Sequence, residues 1–239
     1  MSKIDQLQKI ISASDNIVFF GGAGVSTESG IPDFRSVDGL YHEQYQYPPE
    51  TILSHTFYRK HTAEFFDFYK KKMICPEAKP NKAHSKLAEL EQAGKLKAIV
   101  TQNIDGLHQM AGSKKVLELH GSVKRNYCER CKKFYDESFI MNSVGLPTCS
   151  CGGPVKPDVV LYEEGLDRDT MQQVASYISK ADVLIVGGTS LVVYPAAGMI
   201  DYFRGSSLVL INRAATAADK KANLLIPDSI GEVLGQISV

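Results

Sequence analysis

Six short, unbroken apolar runs constrain the fold of this 239-residue chain more than any other feature. Runs of this kind, without polar alternation, are typical of strands that are buried on both faces of a parallel sheet. The runs cover residues 16–21, 98–101, 116–119, 182–187, 208–211 and 223–226. Helical spacing of apolar residues falls between several of them, at 4–11, 82–93, 168–179 and 195–203. The sequence therefore predicts an α/β fold with helices on both faces of a mostly parallel sheet.

Two stretches interrupt this alternation and predict a smaller domain beside the sheet. Residues 36–75 are rich in Tyr and Phe and have the pattern of a loop followed by a helical insertion, and residues 122–156 hold four of the five cysteines. The larger domain would then consist of residues 1–35, 76–121 and 157–239.

The charge balance excludes some classes of protein. The chain has 27 Lys and Arg residues and 27 Asp and Glu residues, so its formal net charge at pH 7 is zero. This balance argues against a protein whose main task is binding nucleic acid phosphates or an anionic membrane. No apolar run approaches the roughly 20 residues that cross a bilayer, and residues 1–14 lack the apolar core of a secretory signal. We expect a cytoplasmic protein with no membrane or specific nucleic acid partner.

A glycine-rich segment follows the first predicted strand, at the end of the sheet where α/β folds bind ligands. Residues 21–27 resemble a dinucleotide fingerprint, whose glycines let the backbone approach a pyrophosphate beside a helix N-terminus. Thr27 takes the place of the third glycine, so a tight turn that binds nothing is an equal alternative. The acidic residue expected about 20 residues further on is not evident, which argues against a hydride-transferring dehydrogenase. Phe34 beside Arg35 predicts a flap over a bound nucleotide, with a plain surface loop as the alternative.

Polar residues also follow the other predicted strands. Asn103 and Asp105 can hydrogen-bond a carboxamide or orient a water, although capping of the next helix, taken alone, explains them better. His120, at a strand end before Gly121, is a candidate general base, with a packed histidine as the alternative. Small or amide side chains that suit phosphate and ribose oxygens complete the set: Gly188, Thr189, Ser190 and Asn212.

The cysteine spacing predicts a zinc site. Cys128 and Cys131 form a C-x2-C pair, and Cys149 and Cys151 follow after 17 residues as a tighter C-x-C pair. Free thiols or a disulfide are the alternatives. Four thiolates leave no open coordination position, so the metal would be structural.

At this point several long motifs match one family. Residues 22–36 (GAGVSTESGIPDFRS), 101–108 (TQNIDGLH), 119–121 (LHG), the four cysteines, 157–160 (PDVV) and 188–191 (GTSL) occur in the order found in sirtuins. The chain resembles a short, bacterial-type sirtuin, a family of NAD-dependent protein lysine deacylases. The resemblance implies a Rossmann-like domain, a small zinc-binding and helical domain, and a cleft between them.

The resemblance also implies the site residues. NAD+ would contact Gly22, Ala23, Gly24, Thr27, Asp33, Phe34, Arg35, Gln102, Asn103, Ile104, Asp105, Gly188, Thr189, Ser190, Asn212 and Ile230. His120 would be the general base, with Asn103 in the catalytic centre, and Cys128, Cys131, Cys149 and Cys151 would hold one structural Zn²⁺. An acyl-lysine peptide would lie as a strand between two segments that contain Val159, Val160, Leu161, Tyr162, Val192 and Val193.

The implied reaction cleaves NAD+ to nicotinamide and transfers the acyl group from lysine to ADP-ribose, on a protein that we expect to be a monomer. Mono-ADP-ribosyl transfer is the alternative enzyme activity. A zinc-ribbon binding module is a third alternative, because five cations lie near the cysteines: Lys124, Arg125, Arg130, Lys132 and Lys133.

Two departures from the family pattern bear on specificity. Glu163 replaces the glycine of an aromatic-Gly-Glu motif, which predicts a preference for basic residues beside the acyl-lysine. Residues 68–72 (FYKKK) lack the Tyr-x-x-Arg pair of sirtuins that remove acidic acyl groups, which predicts acetyl or other neutral acyl groups.

Overall fold

The computed structural model describes residues 1–35, 39–42 and 45–239, apart from the side chain of His42. Ser36 of the quoted motif and residues 37, 38, 43 and 44 of the predicted insertion therefore lie outside the described residues. The described strands are β1 Ile17–Gly21, β2 Leu96–Thr101, β3 Val116–Glu118, β4 Gly121–Cys128, β5 Phe134–Tyr135, β6 Val155–Val159, β7 Val183–Gly187, β8 Ser207–Ile211 and β9 Leu224–Ile226.

The described helices include nine α-helical segments. They are α1 Lys3–Ser12, α2 Pro49–Ile52, α3 His55–Lys60, α4 Thr62–Phe68, α5 Lys82–Gln92, α6 Leu107–Met110, α7 Glu137–Asn142, α8 Arg168–Lys180 and α9 Ile230–Leu234. A π-helical turn, Tyr69–Met73, continues α4. Short 3₁₀ helices cover Ala23–Val25, Thr27–Ser29, Leu40–His42, Ala196–Tyr202 and Asp219–Lys221. No described helix combines the length and apolar content needed to span a membrane.

The six predicted strands form one parallel sheet, which confirms the predicted fold class. Their order is β3-β2-β1-β7-β8-β9. In the centre, Phe20 of β1 lies opposite Val100 of β2 and Val186 of β7. The chain leaves β1 toward β2 on one side and reaches β7 on the other, so the strand order reverses between β1 and β7. Ligands of such sheets bind outside the carboxyl ends of the strands at this reversal.

Alternation along β1 divides the main core into two layers. Phe19 packs on one face of the sheet among residues of α1, α5 and α9, and Phe20 packs on the other face with residues of α8. All five residues of β1 are buried, which explains why its sequence shows no polar alternation.

The segment at 195–203 is helical, but its helix is not of the α type that the apolar spacing indicated. Residues Ala196–Tyr202 form a 3₁₀ helix, not an α-helix. Gly198 lies within it and lowers the α-helical propensity by about 1 kcal/mol relative to Ala.

A third apolar cluster joins the aromatic insertion to the cysteine-containing segment. Strands β4, β5 and β6 form an antiparallel sheet in the order β5-β4-β6. Phe65 and Phe66 of α4 are buried in the same cluster as Val123 and Val155 of that sheet. The aromatic residues of the insertion therefore serve as the core of the smaller layer.

Candidate active site

The carboxyl ends of β1, β2, β7 and β8 open into one cavity of about 780 Å³. The structure brings together at its wall the residues that follow the strands: Gly22, Ala23, Gly24, Thr27, Gln102, Asn103, Ile104, Asp105, His120, Gly188, Thr189, Ser190 and Asn212. Asp33, Phe34, Arg35, Val159, Val160, Leu161, Tyr162, Val193 and Ile230 also line it. Val192 does not line the cavity, and the residue is 55% exposed.

The glycine-rich turn is built for contact with the end of β7. The amide of Gly24 donates to the carbonyl of Gly188 over 2.8 Å, and a Cβ on Gly24 would lie 2.9 Å from the Cα of Gly188. A Cβ on Gly188, which has a φ of +59°, would lie 2.4 Å from the Val25 nitrogen. These glycines are thus required by the packing of two turns against each other.

The expectation of a helix N-terminus after this turn is wrong for an α-helix. Two 3₁₀ turns follow instead, Ala23–Val25 and Thr27–Ser29. Gly30 ends the second turn with a φ of +82°, and Pro32 lacks the N–H that a helix would need.

Ser26 connects the glycine-rich turn to the end of β2. Its side chain is almost fully buried, its hydroxyl donates to Asp105 Oδ2 over 2.7 Å, and it accepts from Asn103 Nδ2 over 3.0 Å. The other oxygen of Asp105 accepts from the Leu107 amide at the start of α6. One oxygen of Asp105 is therefore bonded at the start of α6, as the capping alternative predicted, and the other is bonded to Ser26 at the cavity wall.

His120 presents a basic nitrogen to this cavity. Its Nδ1 lies 3.0 Å from the carbonyl oxygen of Gln102, which can only accept, so Nδ1 carries the hydrogen and Nε2 of the neutral ring is unprotonated. No hydrogen bond to Nε2 occurs within the part of the chain that the structure describes. Burial lowers the pKa of the imidazole, against the opposing effect of the bond to Gln102. The ring is therefore neutral at pH 7 and able to take a proton.

Thr189 joins three strand ends on the far side of the cavity. Its hydroxyl accepts from Gln102 Nε2 over 3.0 Å, and its carbonyl accepts from Asn212 Nδ2 over 2.7 Å. The side chains that follow β2, β7 and β8 thus form one connected polar wall.

The segment that follows β6 is fixed by the protein's own hydrogen bonds. The amides of Val160, Leu161 and Tyr162 donate to the His120 carbonyl, the Glu164 carboxylate and the Leu53 carbonyl. An added peptide strand cannot use these three donors.

Glu163 adopts a backbone conformation that favours glycine. Its φ is +74°, a left-handed conformation that Gly adopts without strain and Glu does not. Its carboxylate accepts from the Thr56 amide at the start of α3 over 2.9 Å, so this extra charge already has a partner.

The four predicted zinc ligands form a separate cluster. All four sulfur atoms lie within 4.8 Å of one another, with 3.5 Å between Cys128 and Cys151 and between Cys131 and Cys149. Tetrahedral zinc with Zn–S bonds of about 2.3 Å needs sulfurs about 3.8 Å apart, so the cluster fits that ion and excludes a disulfide. Gly152, with a φ of +79°, provides the turn that the tight C-x-C pair needs.

Comparison with known proteins agrees with this geometry. Residues 22–195 match the model of the Sir2 family. The chain belongs to the Sir2 family. The sirtuin resemblance of its motifs is thereby confirmed.

Named relatives of this Sir2-family chain cover nearly its whole length. A protein from Clostridium perfringens (strain 13 / Type A), named NAD-dependent protein deacetylase, is 64% identical over 98% of each chain. A Clostridium acetobutylicum protein of the same name is 62% identical over 98% of this chain and 97% of its own. A solved structure described as Sir2-p53 peptide-NAD+ has a TM-score of 0.86 at 39% identity, covering 98% of this chain and 96% of that one.

Two residues of this Sir2 fold were missed by the sequence reasoning. Ser26 lay within a quoted motif without a role, although a small hydroxyl after a strand was the signal used for Thr189. Asn81 caps α5, and its Nδ2 donates to the Val25 carbonyl (2.8 Å) and the Ser29 hydroxyl (3.0 Å). An Asn before an apolar helical pattern signals a helix start, but it does not reveal contact with a distant loop.

Proposed function

We propose that this chain is an NAD-dependent protein lysine deacetylase or deacylase, which releases nicotinamide and transfers the acyl group to ADP-ribose. The observation that carries the proposal is the unprotonated Nε2 of His120 in a cavity that the glycine-rich turn borders on one side and the Val159–Tyr162 segment borders on the other. Relatives named NAD-dependent protein deacetylase and Sir2 structures described with peptide and NAD+ support it. A Sir2 structure described as bound to a propionylated peptide supports acyl-lysine substrates more broadly.

The cavity wall suits a dinucleotide from end to end. Backbone groups of Gly22, Ala23 and Gly24, with Thr27, would border the diphosphate, and Asp33, Phe34 and Arg35 would cover it. Thr189, Ser190, Asn212 and Ile230, with Gly188, would hold the adenosine end, and Gln102 would reach the nicotinamide ribose. Asn103, Ile104 and Asp105 would form the nicotinamide pocket.

When bound, NAD+ supplies an electrophilic ribose carbon, because its nicotinamide is a cationic leaving group. Asp105 and Ile104 would orient the carboxamide of that leaving group and exclude water from it. Asn103, held by Ser26, would contribute to the same wall. Nε2 of His120 would take the proton of a ribose hydroxyl, while Nδ1 keeps its hydrogen on Gln102.

The peptide is proposed to lie as a strand between residues 159–162 and 191–193. On the first side, its amides would donate to carbonyl oxygens, because the amides of this segment are already bonded within the protein. On the second side, Val193 lines the cavity, whereas Val192 would contact residues of the peptide further from the acyl-lysine.

One Zn²⁺ is proposed on the four cysteines, with a structural role. None of the four cysteines lines the cavity. Four thiolate ligands would leave the zinc no open coordination position for a substrate. We also propose the domain division given above and a monomeric, cytoplasmic enzyme. Its five cysteines form no disulfide, which suits a reducing compartment.

The direct test is incubation with NAD+ and an acetyl-lysine peptide, followed by mass spectrometry of the peptide and chromatography of nicotinamide. Loss of the acetyl mass with equal release of nicotinamide supports the proposal. Gain of an ADP-ribose mass on the peptide or the protein would favour mono-ADP-ribosyl transfer, and absence of both would favour a binding module.

A further inference from the structure

Two tyrosine hydroxyls join the nucleotide side of the cleft to its peptide side. The hydroxyl oxygens of Tyr41 and Tyr162 lie 2.7 Å apart, which is a short hydrogen bond between residues 121 positions apart in sequence. Burial is the largest cause that raises the pKa of Tyr41, and the hydrogen bond to Tyr162 is the next. The hydroxyl therefore stays protonated at all physiological pH values.

Tyr41 is attached to the segment that is proposed to cover the nucleotide. Its amide donates to the Phe34 carbonyl over 3.0 Å, and its ring meets the ring of Phe34 edge-on with centroids 5.7 Å apart. The Arg35 guanidinium lies 5.2 Å from the centre of the same ring. A Cβ on Gly39 would lie 2.8 Å from the Arg35 nitrogen, so residues 33–35 and 39–41 pack as one unit.

Tyr162 is attached to the segment that is proposed to bind the peptide. Its amide donates to the Leu53 carbonyl over 3.0 Å, and its carbonyl accepts from the His55 amide over 2.9 Å. These two bonds fix its backbone at the wall of the cavity. The phenol therefore reaches Tyr41 from a rigid base.

We propose that the Tyr41–Tyr162 hydrogen bond couples nucleotide binding to peptide binding, with Tyr41 as a positioning residue that does not itself line the cavity. The proposal rests on the proposed function. A nucleotide that holds Phe34 and Arg35 also holds Tyr41, and through the hydrogen bond it holds the phenol of Tyr162, whose backbone is already fixed, in one orientation for the peptide. Thermodynamic linkage requires the reverse effect of equal size, since the peptide must strengthen nucleotide binding by the same factor.

The test is a double-mutant cycle on binding, with the wild type, Tyr41→Phe, Tyr162→Phe and the double variant. The dissociation constant of an acetyl-lysine peptide is measured by calorimetry without and with saturating ADP-ribose, which lacks the nicotinamide bond and so does not react. In the wild type, ADP-ribose should tighten peptide binding about threefold to tenfold, the range expected of one hydrogen bond. Each single variant should lose most of this enhancement, and the double variant should lose no more than either single one.

Tyr127→Phe is the matched control. Tyr127 is 37% exposed against 38% for Tyr162, it lies in β4 away from both segments, and its hydroxyl has no hydrogen bond among the described residues. This variant should keep the wild-type enhancement. Full enhancement in Tyr41→Phe, or losses that add in the double variant, would overturn the coupling while leaving the proposed function intact. A wild type that binds neither ADP-ribose nor peptide would overturn both.

Discussion

Ser26 donates its hydroxyl hydrogen to Asp105 Oδ2 over 2.7 Å, so the glycine-rich turn and the end of β2 form one unit at the proposed nicotinamide pocket. Ser26→Ala would leave one carboxylate oxygen of Asp105 and the amide of Asn103 without this partner. We expect kcat/KM for NAD+ to fall about tenfold to hundredfold, because a partly buried carboxylate that loses a hydrogen bond costs free energy of that order. Steady-state kinetics checks this, with Ser179→Ala on the exposed part of α8 as the control. A loss below twofold would contradict it.

The acidic side of the pH profile reports the state of His120. Burial lowers the pKa of this imidazole from its ordinary value of 6.5, and the base acts only when the ring is neutral. We therefore expect kcat/KM to fall as the pH decreases, with a midpoint below 6.5. A midpoint at or above 6.5 would show that the ring is not in the buried, neutral state described here.

Two buried histidines should make the protein less stable to unfolding at acid pH. The rings of His84 and His108 lie 4.7 Å apart, and His84 Nε2 and both nitrogens of His108 have no hydrogen-bond partner within the described residues. Burial lowers the pKa of His84 to about 4 and that of His108 to about 3, with the neighbouring His84 as a further cause for His108.

Because the unfolded chain takes up these protons first, the free energy of unfolding should decrease as the pH falls from 6.5 toward 4. Each histidine contributes at most about 1.4 kcal/mol per pH unit. Urea denaturation at several pH values measures the slope, and His108→Leu should reduce it. An unchanged slope in that variant would contradict the assignment.

Two substitutions separate the effect of the left-handed backbone of Glu163 on stability from the effect of its side-chain hydrogen bond. Both Glu163→Gly and Glu163→Ala remove the hydrogen bond to the Thr56 amide, but only Gly accepts a φ of +74° without strain. We expect the Gly variant to melt about 2–4 °C higher than the Ala variant. Equal melting temperatures would show that the backbone relaxes at this position.

Glu163 also tests the predicted peptide preference. Its carboxylate is exposed and lines the cavity, although it is bonded to the start of α3. A peptide array should show faster deacetylation when Lys or Arg flanks the acetyl-lysine, and Glu163→Gln should weaken this preference. Indifference of the wild type to flanking charge would remove the idea.

Removal of zinc should destabilise the smaller layer. A chelator should lower the melting temperature and abolish activity, because metal binding and folding of such a module are coupled. Metal analysis should find one zinc per chain, retained in Cys75→Ser, whose cysteine lies outside the cluster, and lost in Cys128→Ser. Zinc retained in Cys128→Ser would contradict the four-cysteine site.

The sequence predicted the sheet and the cysteine cluster because both depend on local patterns. Each apolar run forms a strand of the parallel sheet, because helices cover both faces of such a sheet and residues on both faces of the strand are then buried. The helix type at Ala196–Tyr202 was missed, because Gly198 weakens a pattern that otherwise has helical spacing.

The hydrogen bonds that connect the walls of the site could not be predicted from the sequence, because they join segments that are distant in the chain. The Ser26–Asp105 bond spans 79 positions and the Tyr41–Tyr162 bond spans 121. Motifs placed Asp105 and Tyr162 at the cleft, but no pattern indicated their partners. The close packing of Gly24 on Gly188 could not be predicted for the same reason, although both glycines were predicted to contact the nucleotide.

The central claim is that the imidazole of His120 performs the proton transfer beside the cleaved nicotinamide bond. The most direct measurement is the turnover of NAD+ and an acetyl-lysine peptide by the wild type, His120→Asn and the surface control His61→Asn. We expect equal amounts of nicotinamide and deacetylated peptide from the wild type and the control, and at least a hundredfold lower kcat from a folded His120→Asn. Wild-type turnover by His120→Asn, or no nicotinamide from the wild type, would contradict the account.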